Sequence, residues 1–73
     1  MTYVMPIIVE QDDDGFYAEC PTFQGCYTQG ETYEEVLASI RDAVALHIQE
    51  RQSRGEEIPR PRMVSVTALE VAA

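Results

Sequence analysis

The chain has 73 residues, 45% of them hydrophobic, and a formal net charge of −8. That length suits one small domain, whose core rarely supplies more than ~3–5 kcal/mol unaided, so added stability is expected from a staple or a partner subunit. No apolar run reaches the ~20 residues that span a bilayer, and the opening MTYVMPIIVEQDDDG has neither the basic segment nor the cleavage site of a signal peptide, so the expected location is cytoplasmic.

From Tyr3 to Glu10 the residues alternate, with Tyr3, Met5, Ile7 and Val9 on one face and Val4, Pro6, Ile8 and Glu10 on the other. This is the period of a strand. Pro6 has no N–H to give a ladder, so one side of the strand should be unpaired there. QDDDG has the chemistry of a turn. Phe16–Cys20 alternates again, with Phe16, Ala18 and Cys20 against Tyr17 and Glu19, and Pro21 stops it. Cys26–Gln29 reads as a third short strand.

A long helix follows. Thr32 and Glu35 have capping-box spacing, which predicts that each side chain satisfies a backbone N–H of the first turn, and Glu34 and Glu35 suit the positive end of the helix dipole. Val36, Leu37, Ile40, Val44, His47 and Ile48 recur at three- and four-residue steps as one stripe. Gly55 supplies a C-terminal cap, so the helix should run from Tyr33 to Ser53 or Arg54. EEIPRPR is an extended connection, and MVSVTALEV (63–71) reads as a final strand.

The predicted architecture is α+β: a single small domain over residues 1–73, in the order β-β-β-α-β, with one long helix on one face of the sheet. A right-handed crossover sets the last strand parallel to the first, giving sheet order 3-2-1-4. The face opposite the helix would still carry Val4, Ile8 and Tyr17, and an uncovered apolar face marks an interface, so a homodimer or homotetramer is expected.

The charge is lopsided. Residues 1–40 hold eight acids and no Lys or Arg, whereas residues 41–73 hold five acids and five arginines. Such a surface repels phosphate backbones and disfavours direct nucleic-acid binding, while a basic protein is its complement. The plain alternative is that the acids keep a small protein soluble.

Candidate chemical sites are weak. Cys20 and Cys26 are spaced C-x5-C, unlike a zinc knuckle or a C-x-x-C redox pair, and with His47 they make three ligands where structural zinc takes four. Two reduced cysteines read better as small core hydrophobes. The acids of DDDG are adjacent, where a calcium loop needs them at alternate positions and a Glu six residues past its Gly; here that residue is Pro21. His47 has no nucleophile beside it. A β-β-β-α-β order also begins ribonuclease H nucleases, whose chemistry needs a metal-binding Asp in the first strand, and YVMPIIV has none. The expectation is no metal, no cofactor and no catalysis.

The stretch GFYAECPTFQGCYTQGETYEEVLASIRDAV carries a more specific pattern: a Gly-aromatic strand, then Pro21, Gly25, Cys26, Thr28, Gly30, Thr32, Glu34, Glu35, Ile40 and Ala43 at fixed offsets. It resembles the N-terminal domain of the HicB family of toxin–antitoxin antitoxins, over about residues 3–50. The resemblance implies a partial ribonuclease-H-like fold without nuclease activity. It also implies a basic partner, a HicA-type toxin that resembles a double-stranded-RNA-binding domain and cleaves mRNA with a histidine of its own. The sequence departs from the pattern at Phe23-Gln24, where Leu-Pro is usual, and at Val36, where Ala is common. Many members continue into an operator-binding domain, and these 73 residues contain none, so no binding to DNA by this chain alone is expected. Other readings of the resemblance are an oligomeric interaction domain without a toxin and, less favoured, a DNA-binding repressor. The residues expected to meet the toxin are Asp12, Asp13, Asp14 and Glu19, whose carboxylates would stand where RNA phosphates lie, with Tyr17 and Ile8 adding apolar contact.

Overall fold

The computed structural model describes residues 2–60 and 65–73. Three strands, β1 (Ile8–Asp12), β2 (Gly15–Glu19) and β3 (Tyr27–Gly30), form an antiparallel meander, and one helix, α1 (Tyr33–Ser53), follows. Among the described residues the sheet order is β1-β2-β3, the first three places of the expected 3-2-1-4.

The first hairpin is closed by Asp13 and Asp14, with Asp12 opposite Gly15. The Asp12 carboxylate accepts the Asp14 backbone N–H at 2.8 Å, a local bond that holds the turn. Gly15 sits at φ +139°, and a Cβ there would lie 2.7 Å from the Gly30 carbonyl oxygen, so both conformation and space call for glycine.

The first strand is shorter at its start than its alternation predicts, beginning at Ile8 rather than Tyr3. The partner strand explains this. Its ladder ends at Glu19 opposite Ile8, because Cys20 and Pro21 turn away into a tight loop, and among the described residues no strand pairs with 3–7. Met5 and Ile7 nonetheless pack against the core, so the predicted faces persist without the ladder.

That loop, Cys20–Cys26, is built inward. Cys20 N–H donates to the Cys26 carbonyl at 2.9 Å, Phe23 N–H to the Cys20 carbonyl at 3.2 Å, and Cys26 N–H to the Phe23 carbonyl at 3.3 Å. The bends drive Phe23 into the core, where it is only 2% exposed. Its ring stacks on His47 with centroids 5.3 Å apart, and the Arg51 guanidinium lies 5.0 Å above it. His47 thus serves as a wall of the Phe23 pocket.

The helix limits match the expectation. Thr32 Oγ1 accepts the Glu35 N–H at 3.1 Å. The return leg differs from a capping box: the Glu35 carboxylate takes the Glu31 N–H, at 3.4 Å, not that of Thr32. At the other end Gly55, φ +72°, donates to the Gln52 carbonyl and Glu56 to the Arg51 carbonyl, at 3.0 and 2.9 Å, a Schellman motif that satisfies the last carbonyls. Arg54 also bridges Glu50 and Glu56 at 2.8 and 3.0 Å, exposed pairs worth little.

The core is Ala18, Cys20, Phe23, Cys26, Val36, Ile40 and Val44, with Met5, Ile7, Val9, Phe16, Ala43, Ile48 and Ile58 packed around it. Of the predicted helix stripe, Val36, Ile40 and Val44 are buried and Leu37, His47 and Ile48 half-buried. The helix crosses β3 and β2 and does not reach β1.

The predicted final strand, 63–71, falls partly outside the described residues, at 63 and 64. Residues 65–73 have no regular secondary structure and are exposed throughout, with Val66 at 67%, Leu69 at 81% and Val71 at 80%. They do not pair with β1 of their own chain.

Candidate partner-binding face

The register decides what the sheet shows on the side away from the helix. Ile8 pairs with Glu19, and Glu10 with Tyr17, across β1 and β2; Tyr17 pairs with Gln29, and Glu19 with Tyr27, across β2 and β3. All six side chains share the outer face, because alternate residues of a pleated strand point the same way. Tyr17 and Tyr27 stack with centroids 5.9 Å apart and planes inclined by 25°. Tyr27 is 59% exposed. The result is an aromatic and aliphatic patch, Ile8, Tyr17 and Tyr27, between two carboxylates, Glu10 and Glu19.

Of the residues expected to meet a partner, the structure sets Ile8 and Glu19 opposite each other at the end of the sheet far from the first hairpin, with Tyr17 midway along β2. Asp12, Asp13 and Asp14 lie at the hairpin itself, four strand positions from Ile8, which is roughly 13 Å at ~3.3 Å per residue. Ile8 with Glu19 and the three aspartates therefore form the two ends of one face, and Tyr17, which also lines the groove beside Asp12 and Asp14, lies between them. At the acidic end the fold adds residues that spacing alone does not join to it: Asp12, Asp14, Glu31 and Glu35 line one shallow groove of about 450 Å³, between the hairpin and the start of α1. Tyr27 is the other addition. Its partnership with Tyr17 follows from a register that places Tyr27 opposite Glu19, information carried by the loop before β3 rather than by local alternation.

Partial desolvation on this face, together with Glu19, Tyr27 and Glu10, holds the Tyr17 phenol above its ordinary pKa of 10.0. It stays a neutral O–H at physiological pH, able to donate to a partner. On the inner side, burial and the adjacent Cys20 push the Cys26 thiol above its ordinary 9.0. Both cysteines are free and buried, and a protonated buried thiol is a poor nucleophile. Among the described residues no three His, Cys, Asp or Glu side chains come together to hold a metal ion. Among those residues, too, no helix is long and apolar enough to cross a membrane.

Residues 5–71 match the family described as the HicB-like antitoxin of bacterial toxin-antitoxin systems. The chain belongs to the HicB-like antitoxin family. Its relatives include a UPF0150 protein of Thermoplasma acidophilum, 36% identical over 62 residues that make up 84% of this chain and 90% of the relative. A UPF0150 protein of Synechocystis is 30% identical over 63 residues, 85% of this chain and 80% of that one. An uncharacterized 14.9 kDa protein of Haemophilus phage HP1 is 31% identical over 55 residues, which cover 75% of this chain and 41% of the phage protein. No solved structure matches the chain. Membership in an antitoxin family supports a role in binding and restraining a toxin, as the resemblance over residues 3–50 implies, and extends the match through the segment beyond the helix.

Proposed function

We propose that this HicB-like chain neutralises a small basic, mRNA-cleaving toxin of the HicA type by covering its RNA-binding surface with the outer face of the sheet. The observation that carries the reading is the composition of that face: a stacked Tyr17–Tyr27 pair and Ile8, flanked by Glu10 and Glu19 and continued into the acidic groove of Asp12, Asp14, Glu31 and Glu35. The face follows the division of labour in tight interfaces, with apolar and aromatic groups to be desolvated at the centre and charge at the rim. Against a surface shaped to hold RNA, carboxylates replace phosphates as partners of Lys and Arg, and the tyrosines supply contact area at low entropy cost. The mechanism is occlusion and needs no chemistry from the antitoxin.

Charge at the rim mostly sets the rate of encounter, while the desolvated centre sets the lifetime of the complex. Surface plasmon resonance against a HicA-type toxin separates the two. Changing Asp12, Asp13 and Asp14 together to Asn should slow association by roughly tenfold at low salt and flatten its salt dependence, with dissociation little changed. Tyr17→Ala should instead speed dissociation by a factor of ten or more, the behaviour of a central aromatic anchor. If the triple variant keeps its on-rate and salt slope, the acidic turn only closes a hairpin; if Tyr17→Ala also leaves dissociation unchanged, the contact lies elsewhere.

A further inference from the structure

We propose that Cys20 and Cys26 join in a reversible intrachain disulfide under oxidising conditions, a redox-sensitive staple that closes the loop between β2 and β3. The proposal does not depend on the toxin reading, because the pair lies on the inner side of the sheet and its test needs no partner.

The register brings the two residues together. β2 and β3 pair Ala18 with Thr28 and Glu19 with Tyr27, so one further step along the ladder sets Cys20 opposite Cys26. The backbone takes that step: the Cys20 N–H donates to the Cys26 carbonyl at 2.9 Å, before the Cys26 N–H turns away to the Phe23 carbonyl. Residues opposed in a hydrogen-bonded antiparallel pair have Cα atoms about 5.5 Å apart, close to the commonest separation in disulfides, roughly 5.5–6 Å. Opposed residues also share a face of the pleat, and two steps from Ala18 and Thr28 that is the inner face. Both thiols are accordingly buried in one core, Cys20 1% and Cys26 3% exposed. The Cys20 thiol is among the groups that keep the Cys26 thiol protonated, so the two sulfurs sense each other. The C-x5-C spacing matches no redox motif, yet it becomes a close pair because residues 21–25 fold back between its ends.

The same burial sets the conditions of the reaction. A protonated thiol shut away from solvent does not attack an oxidant, so exchange follows local opening of the 20–26 loop. The oxidant is a small disulfide of the glutathione type. In the opened loop one cysteine thiolate attacks a sulfur of that disulfide, and one small thiolate leaves. The second cysteine then attacks the protein sulfur of the mixed disulfide, forming the Cys20–Cys26 bond and releasing the second small thiolate. The two cysteine protons end on the two released thiols, and the two electrons given up by the cysteines reduce the small disulfide. Reclosure favours the second step, because the packed core around Phe23, Val36 and Ile40 accommodates a sulfur–sulfur bond but not a tripeptide adduct.

The bond acts where the loop meets the sheet. Glu19 immediately precedes Cys20 and Tyr27 immediately follows Cys26, so the staple clamps the strand ends that carry them. In a domain with so small a core, a covalent tie across a loop is a large addition. Where the thiol pool is reducing, the pair packs as two small hydrophobes. Oxidation turns the same side chains into a tie.

The test holds the whole chain in buffers of reduced and oxidised glutathione, quenches in acid, alkylates the remaining thiols after unfolding, and weighs the intact chain. In oxidising buffer the native chain should lose two hydrogens, take up no alkylating group and stay single on a non-reducing gel. The equilibrium constant for the bond, read against the glutathione poise, should be at least tenfold higher in native buffer than in concentrated urea. By linkage the oxidised chain should then unfold roughly 5 °C higher or more, and dithiothreitol should abolish the gain. Cys20→Ala keeps a small apolar group at the site and should remove the redox dependence of the midpoint. Thiols that remain free in native oxidising buffer overturn the proposal, as do persistent glutathione adducts, bonds between chains, or an equilibrium constant no higher in native buffer than in urea. A midpoint that still follows the oxidant in Cys20→Ala overturns it as well, by placing the redox response elsewhere.

Discussion

The two faces of the sheet are made by the same three strands and obey opposite rules. On the inner face Phe16 and Ala18 lie under the helix, Val9 packs against the edge of the same core, and the neighbouring loop drops Phe23 between His47 and Arg51. On the outer face Ile8, Tyr17 and Tyr27 have comparable apolar bulk, but among the described residues no helix or strand packs over them, and Glu10 and Glu19 stand among them. The difference teaches where stability ends and recognition begins. A side chain with protein on every side contributes through the water it sheds and the contacts it makes, whereas one on an open face holds that capacity for a partner.

The sharpest way to break the comparison is Phe23→Ala. Removing a buried aromatic ring from a core this small should cost about 3–5 kcal/mol, as much as such a domain possesses, and thermal unfolding by circular dichroism should show the folded state lost or nearly so. Tyr27→Ala on the other face makes the matching cut. It should lower stability by only about 0.5–1.5 kcal/mol, the worth of the stack with Tyr17, while weakening toxin binding at least tenfold. If Tyr27→Ala proves as damaging to the fold as Phe23→Ala, the outer face is structural and the contrast between the faces fails. The smallest effect sharpens the inner side. Thr28 pairs with Ala18 on the inner face, and its hydroxyl is buried without a hydrogen-bond partner among the described residues. Thr28→Val keeps the shape and removes the unpaired polar group, so it should raise the stability by roughly 1 kcal/mol in urea unfolding.

Much of the fold is legible along the chain because it rests on short-range rules. Thr32 and Gly55 mark the helix ends through bonds to neighbours within a few residues, and period-two alternation sorts Phe16 and Ala18 from Tyr17 and Glu19 before any partner strand is known. The candidate face is less legible. Ile8, Tyr17 and Glu19 can be assigned to it from alternation, but that Ile8 and Glu19 stand at the opposite end from Asp12, Asp13 and Asp14, with Tyr17 between, appears only once the hairpin is closed. Phe23 reads in sequence as a departure from a family pattern, since a loop has no period to announce burial; its place depends on three backbone bonds that fold Cys20–Cys26 inward.

By itself the sequence determined the number of strands in the meander, both ends of the helix, the acidic character of the first half and the family to which the chain belongs. These depend on residue types and on spacings of a few positions. Only the tertiary structure decided that Tyr27 stacks on Tyr17, that Glu31 and Glu35 join the acidic hairpin across one groove, and that residues 65–73 stand clear of their own sheet. Each of these sets side by side residues distant in the chain, and register, loop closure and helix placement settle such neighbours through the free energy of the whole packed unit rather than of any local stretch.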